Sequence, residues 1–111
     1  MGQINLVLIG QHYINPNGSF TRTSGVLAED PIVYSAAVTT VNGAINAFAV
    51  GAAVSIAPGV RVNAVAPGLA ENSPFYFSFF PGFVPASMHR IAQAYVKSVH
   101  GVQTGQVYRV A

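Results

Sequence analysis

Cysteine is absent from this 111-residue sequence, and only 7% of its residues are charged. The first absence excludes disulfides, thiolate metal sites and a cysteine nucleophile, and it is neutral about compartment. The scarcity of charge excludes more. The five basic residues, Arg22, Arg61, Arg90, Lys97 and Arg109, are scattered and form no cluster that could follow a phosphate backbone, so nucleic-acid binding is not expected. His12, His89 and His100 share no ligand spacing, so no metal site is expected either. Met1–Gly10 shows neither a basic leader nor a small-residue cleavage site, and the expected compartment is the cytoplasm.

Hydrophobic residues make up 51% of the chain, which leaves little polar surface to cover a monomer of this size and points to burial against a partner. Residues 1–111 are at most a single domain, long enough for one core and short for a complete dinucleotide-binding enzyme. From Pro31 to Val60 no residue is charged, and that run exceeds the length of a bilayer span. Its hydrophobicity, however, is that of alanine and valine. It is interrupted by Ser35, Thr39, Thr40, Asn42, Asn46 and Ser55. A helix buried between protein layers is the expected reading, with no membrane partner.

Met1 to Ile14 is apolar with polar interruptions, and periodicity alone leaves helix and strand both open. Asn15-Pro16-Asn17-Gly18 signals a turn, and Ser19 to Thr23 has strand propensity. Glu29-Asp30-Pro31 looks like the start of a long helix, ended by Pro58-Gly59. Val60 to Ala66 reads as a strand closed by Pro67-Gly68, and Leu69 to Pro85 as a loop with an apolar side carrying Phe75, Tyr76, Phe77, Phe79, Phe80 and Phe83. Val84 to Val99 has the apolar spacing of an amphipathic helix, stopped by Gly101, and Gln106 to Val110 makes a last strand. Alternating helices and strands predict an α/β protein with right-handed crossovers and a parallel sheet.

Four segments, in order, resemble the second half of a short-chain dehydrogenase/reductase. Thr23-Ser24-Gly25 falls where that family keeps its catalytic serine. Pro31-Ile32-Val33-Tyr34-Ser35-Ala36-Ala37-Val38 is similar to the stretch holding the Tyr-x-x-x-Lys pair. Arg61-Val62-Asn63-Ala64-Val65-Ala66-Pro67-Gly68 is the most specific match, a strand and turn that lie beside the nicotinamide in the family, and Thr104 to Val110 resembles its final strand. The resemblance implies a partial Rossmann-like three-layer fold of about three parallel strands with flanking helices. It also implies NAD or NADP as cofactor, a carbonyl or secondary alcohol as substrate, Ser24 and Tyr34 as catalytic residues, and Pro67 and Gly68 as cofactor-binding ones. It favours helix for the N-terminal segment and likens the helix from Tyr34 to Ile56 to the family's dimer helix, so a homo-oligomer or an intact relative is the expected partner.

The departures from that pattern are equally specific. The family's glycine-rich turn, whose backbone approaches the pyrophosphate at a helix N-terminus, has no counterpart here. Gly101-Val102-Gln103-Thr104-Gly105 follows a helix and precedes a strand, the reverse of what a phosphate cradle requires. The family's asparagine would fall before Met1. Four residues after Tyr34, in the place of the lysine that lowers the tyrosine's pKa, stands Val38. A phenol of ordinary pKa is ionised in about one molecule per thousand at neutral pH, so proton transfer without that lysine would be slow. Ser24 and Tyr34 also lie closer in sequence than the family's pair. The expectation is a protein inactive alone, or a non-catalytic remnant that associates through its long helix and an exposed sheet edge.

Overall fold

A computed structural model describes residues 2–15, 17–56 and 59–111; Met1, the turn residue Pro16 and the helix-ending Pro58 lie outside them. Its elements are α1 (Gly2–Gly10), β1 (Ser19–Thr23), α2 (Ala36–Ser55), β2 (Arg61–Pro67), α3 (Met88–His100) and β3 (Val107–Val110), with 3-10 turns at Val26–Ala28 and Pro74–Phe79. The strands form one parallel sheet in the order β1-β2-β3, with Ser19 opposite Arg61 and Ala64 opposite Val107. The expected three-strand α/β arrangement is the one observed.

β2 is central because its sequence tolerates burial on both faces: Val62, Asn63, Ala64, Val65 and Ala66 are all buried. Successive side chains point to opposite faces, and two cores follow from that alternation. Val62 and Ala64 pack with Val7 of α1 and with Ile45, Ala49 and Ala52 of α2. Val65 packs on the other side with Ile91 and Ala94 of α3 and with Val110. Small residues on α2 let it lie close to the sheet. Although α2 has the length and composition of a membrane span, in this fold it serves as a core helix.

Buried Asn63 and Ser98 are satisfied across elements. Asn63 is 0% exposed, donates through Nδ2 to Gln103 O (2.9 Å) and accepts from Gln106 N (3.0 Å). One amide thus ties the loop before β3 to the middle of β2. Thr21 Oγ1 and Ser98 Oγ lie 2.7 Å apart between β1 and α3. α3 starts on Ser87, whose hydroxyl accepts from Arg90 N, and ends where Arg61 donates to Ser98 O and Val99 O, placing a cation at the negative end of the helix.

Helix starts depart from expectation, α3 beginning at Met88, four residues beyond Val84. The long helix begins at Ala36, five residues beyond Pro31. Buried Ser35 accepts from Ile32 N and donates to Ile32 O, closing a turn in which Tyr34 has φ 66°. That turn competes with helix for the same backbone groups. The phenylalanine-rich loop contains the 3-10 turn Pro74–Phe79 and is pinned at its base, where Glu71 N donates to Ala86 O and Ala86 N to Leu69 O. Phe75, Tyr76 and Phe79 are exposed, and the core beside α3 contains no phenylalanine.

Replacing Asn63 by alanine removes both bonds to the 103–106 loop and is expected to cost about 2–4 kcal/mol of stability. A urea unfolding midpoint indistinguishable from that of the unmodified chain would show that this loop is held by other contacts.

Candidate functional site

In open parallel sheets ligands bind beyond the C-terminal ends of the strands. Here those ends bring Thr23-Ser24-Gly25, Pro67-Gly68 and Val110 side by side. Ser24 N donates to Val65 O (2.9 Å), and Gly68 N donates to Val110 O (2.7 Å). A Cβ on Gly25 would lie 3.7 Å from Pro67 O and 2.9 Å from Asn42 Nδ2; one on Gly68 would lie 3.2 Å from Val110 O. Both glycines permit close backbone approach at this end of the sheet.

Ser24 is 9% exposed and donates its Oγ proton to Asn46 Oδ1 at 2.5 Å. Asn42 and Asn46 stand four residues apart on one face of α2, so both carboxamides reach the end of β1. Thr23 Oγ1 lies 2.6 Å from Tyr95 Oη of α3 on the opposite face. Tyr34 is elsewhere in character: it precedes α2 in a left-handed conformation, is 100% exposed, and its hydroxyl makes no hydrogen bond among the described residues. It shares no helix with Val38, so the four-residue helical spacing of the family's pair is not formed. Ser24 and the Pro67-Gly68 turn thus stand at the ends of neighbouring strands, the Ser24 side chain turned to Asn46, and Tyr34 lies apart.

Two recesses open beside these strand ends. One, of about 190 Å³, is lined by Gly25, Glu29, Asp30, Asn46, Ala66 and Arg109 among others. The other, of about 560 Å³, lies between Gly68, Leu69 and the loop residues Phe83 and Val84, with Val26 and Asp30 shared between them. Arg109 walls the smaller recess through a fork to Glu29, its Nε lying 2.8 and 2.9 Å from the two carboxylate oxygens. The hydrogen bonds from Arg109 hold the Glu29 carboxyl below the usual carboxylate range and push the guanidinium higher, against a smaller opposing effect of burial.

The described residues do not by themselves fit a whole dinucleotide. Gly105 N donates to Val62 O (2.8 Å), Thr104 Oγ1 accepts from Val62 N (3.0 Å), and a Cβ at Gly105 would lie 2.9 Å from Ala53 Cβ. The Gly101–Gly105 loop is thus packed onto β2 and offers its backbone to the sheet. Asn42, Asn46 and Gln3 were not singled out from sequence as site residues. Two asparagines four apart on an otherwise apolar helix were the available signal for the first pair.

Three parallel strands held between helix layers, with a serine and a Pro-Gly turn at the strand ends, define half of a Rossmann-like dehydrogenase fold. No protein-family model and no curated protein matches the sequence. Among solved structures, a protein of Listeria innocua is 47% identical over 99% of this chain, with a TM-score of 0.95. A small-chain dehydrogenase is 32% identical over 98% of the chain (TM-score 0.80), and one solved in complex with NADPH is 29% identical over 98% (TM-score 0.79). The chain is a partial short-chain dehydrogenase/reductase, spanning 56%, 54% and 56% of the lengths of those three structures.

The Glu29 pairing fixes a pH dependence. Because its folded-state pKa is depressed, the stabilisation is fully present above the ordinary carboxylate range and is lost as pH falls through the lowered value. Urea midpoints followed from pH 7 down to about pH 2.5 should fall less steeply for Glu29→Gln than for the unmodified chain. Parallel profiles would mean that the ion pair contributes nothing to folding.

Proposed function

We propose that this chain is the substrate-side half of an NAD- or NADP-dependent oxidoreductase acting on a carbonyl or secondary alcohol in the cytoplasm, and that it transfers no hydride alone. The observation that carries this reading is the junction of Ser24 with the Pro67-Gly68 turn at adjacent strand ends. Ser24 would orient the substrate oxygen, and Pro67 and Gly68 would wall the nicotinamide. Tyr34 would serve as proton donor only if the turn ahead of α2 rewound to bring its hydroxyl inward. A pyrophosphate cradle, which sets both affinity and the distance for hydride transfer, would have to come from other polypeptide. Titrating the full chain with NADPH and with NADH by nucleotide fluorescence should give no saturable binding below millimolar concentration. Micromolar binding accompanied by turnover would overturn the proposal.

A second reading, association without catalysis, is favoured by the surface of α2. Val38, Val41, Val50 and Val54 are exposed there, Val54 at 89%. Leu6, Leu8 and Ile9 are exposed on the adjoining α1. The chain exposes 6579 Å², against about 5,800 Å² expected for a compact monomer of its mass. Covering these helices with a second copy, or with an intact family member, removes apolar surface that a monomer leaves in water. Light scattering behind size exclusion should show a multiple of the 11.6 kDa chain mass, and a Val50→Glu, Val54→Glu variant should run as monomer. A stable monomer of the unmodified chain at micromolar concentration would exclude self-association.

A further inference from the structure

The two recesses at the strand ends share Asp30, and their charges do not cancel. In the smaller one the Arg109 fork neutralises Glu29, so Asp30 is left as the unmatched charge of its lining. In the larger one Asp30 is the only lining residue with a polar side chain. Glu71, the third acid of the chain, is engaged elsewhere, accepting from Met88 N at the start of α3 (3.0 Å). The Asp30 backbone is fixed, its N–H donating to Val26 O at 2.8 Å, while its exposed carboxylate accepts no hydrogen bond among the described residues. A chain of net charge +2 thus keeps one unpaired carboxylate in the wall of its strand-end recess.

The remainder of that lining is apolar and held in shape. Phe80-Pro81-Gly82-Phe83 forms a tight turn in which Phe83 N donates to Phe80 O (3.1 Å) and Gly82 has φ 83°, the left-handed value that a type II turn requires after its proline. The Phe80 and Phe83 rings meet edge to face with centroids 5.3 Å apart, and Phe83 lines the recess with Leu69 and Val84. Such a setting sorts ligands by charge. An ammonium group gains from the carboxylate and from a phenyl face, an anion is repelled, and the hydrocarbon that carries the charge finds apolar walls. A polyol would meet a single polar side chain and leave its other hydroxyls without protein partners.

We propose that Asp30 determines specificity, selecting a substrate in which the alcohol or ketone oxygen is accompanied by an ammonium group and an apolar aryl or alkyl body. Amino alcohols and the matching amino ketones are that class. This rests on the reading of the strand ends as the substrate side of an oxidoreductase, and it adds which substrates they take. The carboxylate pairs with the ammonium while Leu69, Phe83 and Val84 cover the body; Asn46, the partner of Ser24, lines the smaller recess on the other side of Asp30.

The test titrates the full chain, labelled with nitrogen-15 and held at pH 7, with millimolar phenylethanolamine, α-methylbenzyl alcohol, mandelate and phenethylamine. The first is a cationic secondary alcohol, the next two are neutral and anionic counterparts, and the last lacks the hydroxyl. Followed by NMR, phenylethanolamine should shift the amides of Asp30, Gly68 and Phe83 and bind about fivefold more tightly than the neutral alcohol, with mandelate the weakest. Asp30→Asn, a change at an exposed position, should bring the cationic and neutral alcohols to equal affinity. Equal affinities on the unmodified chain, or a preference that survives in Asp30→Asn, overturn the role of Asp30. Binding of neither alcohol overturns the recess as a substrate site. Phenethylamine separates this proposal from the reading beneath it: if it binds as tightly as phenylethanolamine and Asp30→Asn weakens both, Asp30 selects the cation, and it is the reading of an alcohol oxygen at the strand ends that fails.

Discussion

A parallel strand with a neighbour on each side and a helix layer on each face has no route to solvent, and β2 accepts that constraint over five consecutive residues, Val62 to Ala66. Everything else is arranged around it. α2 and α1 must cover one face and α3 the other, because the βαβ crossover puts helices on both sides of such a sheet. The buried carboxamide of Asn63 is tolerated because it replaces the loop's lost water bonds with two protein ones, and in doing so it sets where β3 begins. The neighbouring strand ends that carry Ser24 and Gly68 are a consequence of that register.

Exposed apolar side chains lie on α1 and α2, in a slab measuring 44 × 27 × 17 Å. Its radius of gyration, 14.6 Å, exceeds the value of about 13 Å for a compact domain of this length. α3 behaves differently: its Arg90, Gln93, Lys97 and His100 face water and Ile91, Ala94 and Ser98 face the sheet, so it is finished as an outer layer. α1 and α2 instead leave Leu6, Leu8, Ile9, Val50 and Val54 exposed.

The sheet was legible in the sequence because its signals are local. Pro67-Gly68 and Gly101 punctuate the chain within a few residues of the observed ends, and β2 differs from its expected span by one residue at each end. α1 was ambiguous because it is apolar on all faces, so periodicity carries nothing. The start of α2 was misplaced for a different reason. Asp30-Pro31 has the chemistry of a helix start, but the Ser35 hydroxyl captures both backbone groups of Ile32, a choice that depends on burial of that serine. Gln3 and Asn46 were invisible as functional residues because each acts on a partner about twenty positions away, Thr23 and Ser24 respectively. Side-chain contacts at that range follow from the crossover geometry alone.

The polarity of the Ser24–Asn46 bond limits what the strand end can do. A hydroxyl carries one proton, and here it is given to Asn46 Oδ1. With its proton committed, Ser24 has only lone pairs left to offer another group. Orienting a carbonyl requires the hydroxyl to rotate, and Asn46 Oδ1 then loses its donor in a partly buried setting, at a cost of about 1–3 kcal/mol unless the carboxamide turns its Nδ2 to the serine. That turn reverses the bond without moving the backbone, making Ser24 an acceptor from Asn46 and freeing its proton for another acceptor. The orientation of one carboxamide thus decides whether Ser24 has a proton or only lone pairs to offer, and α2, fixed to β2 through Ile45 and Ala49 on either side of Asn46, holds that side chain at the strand end in both.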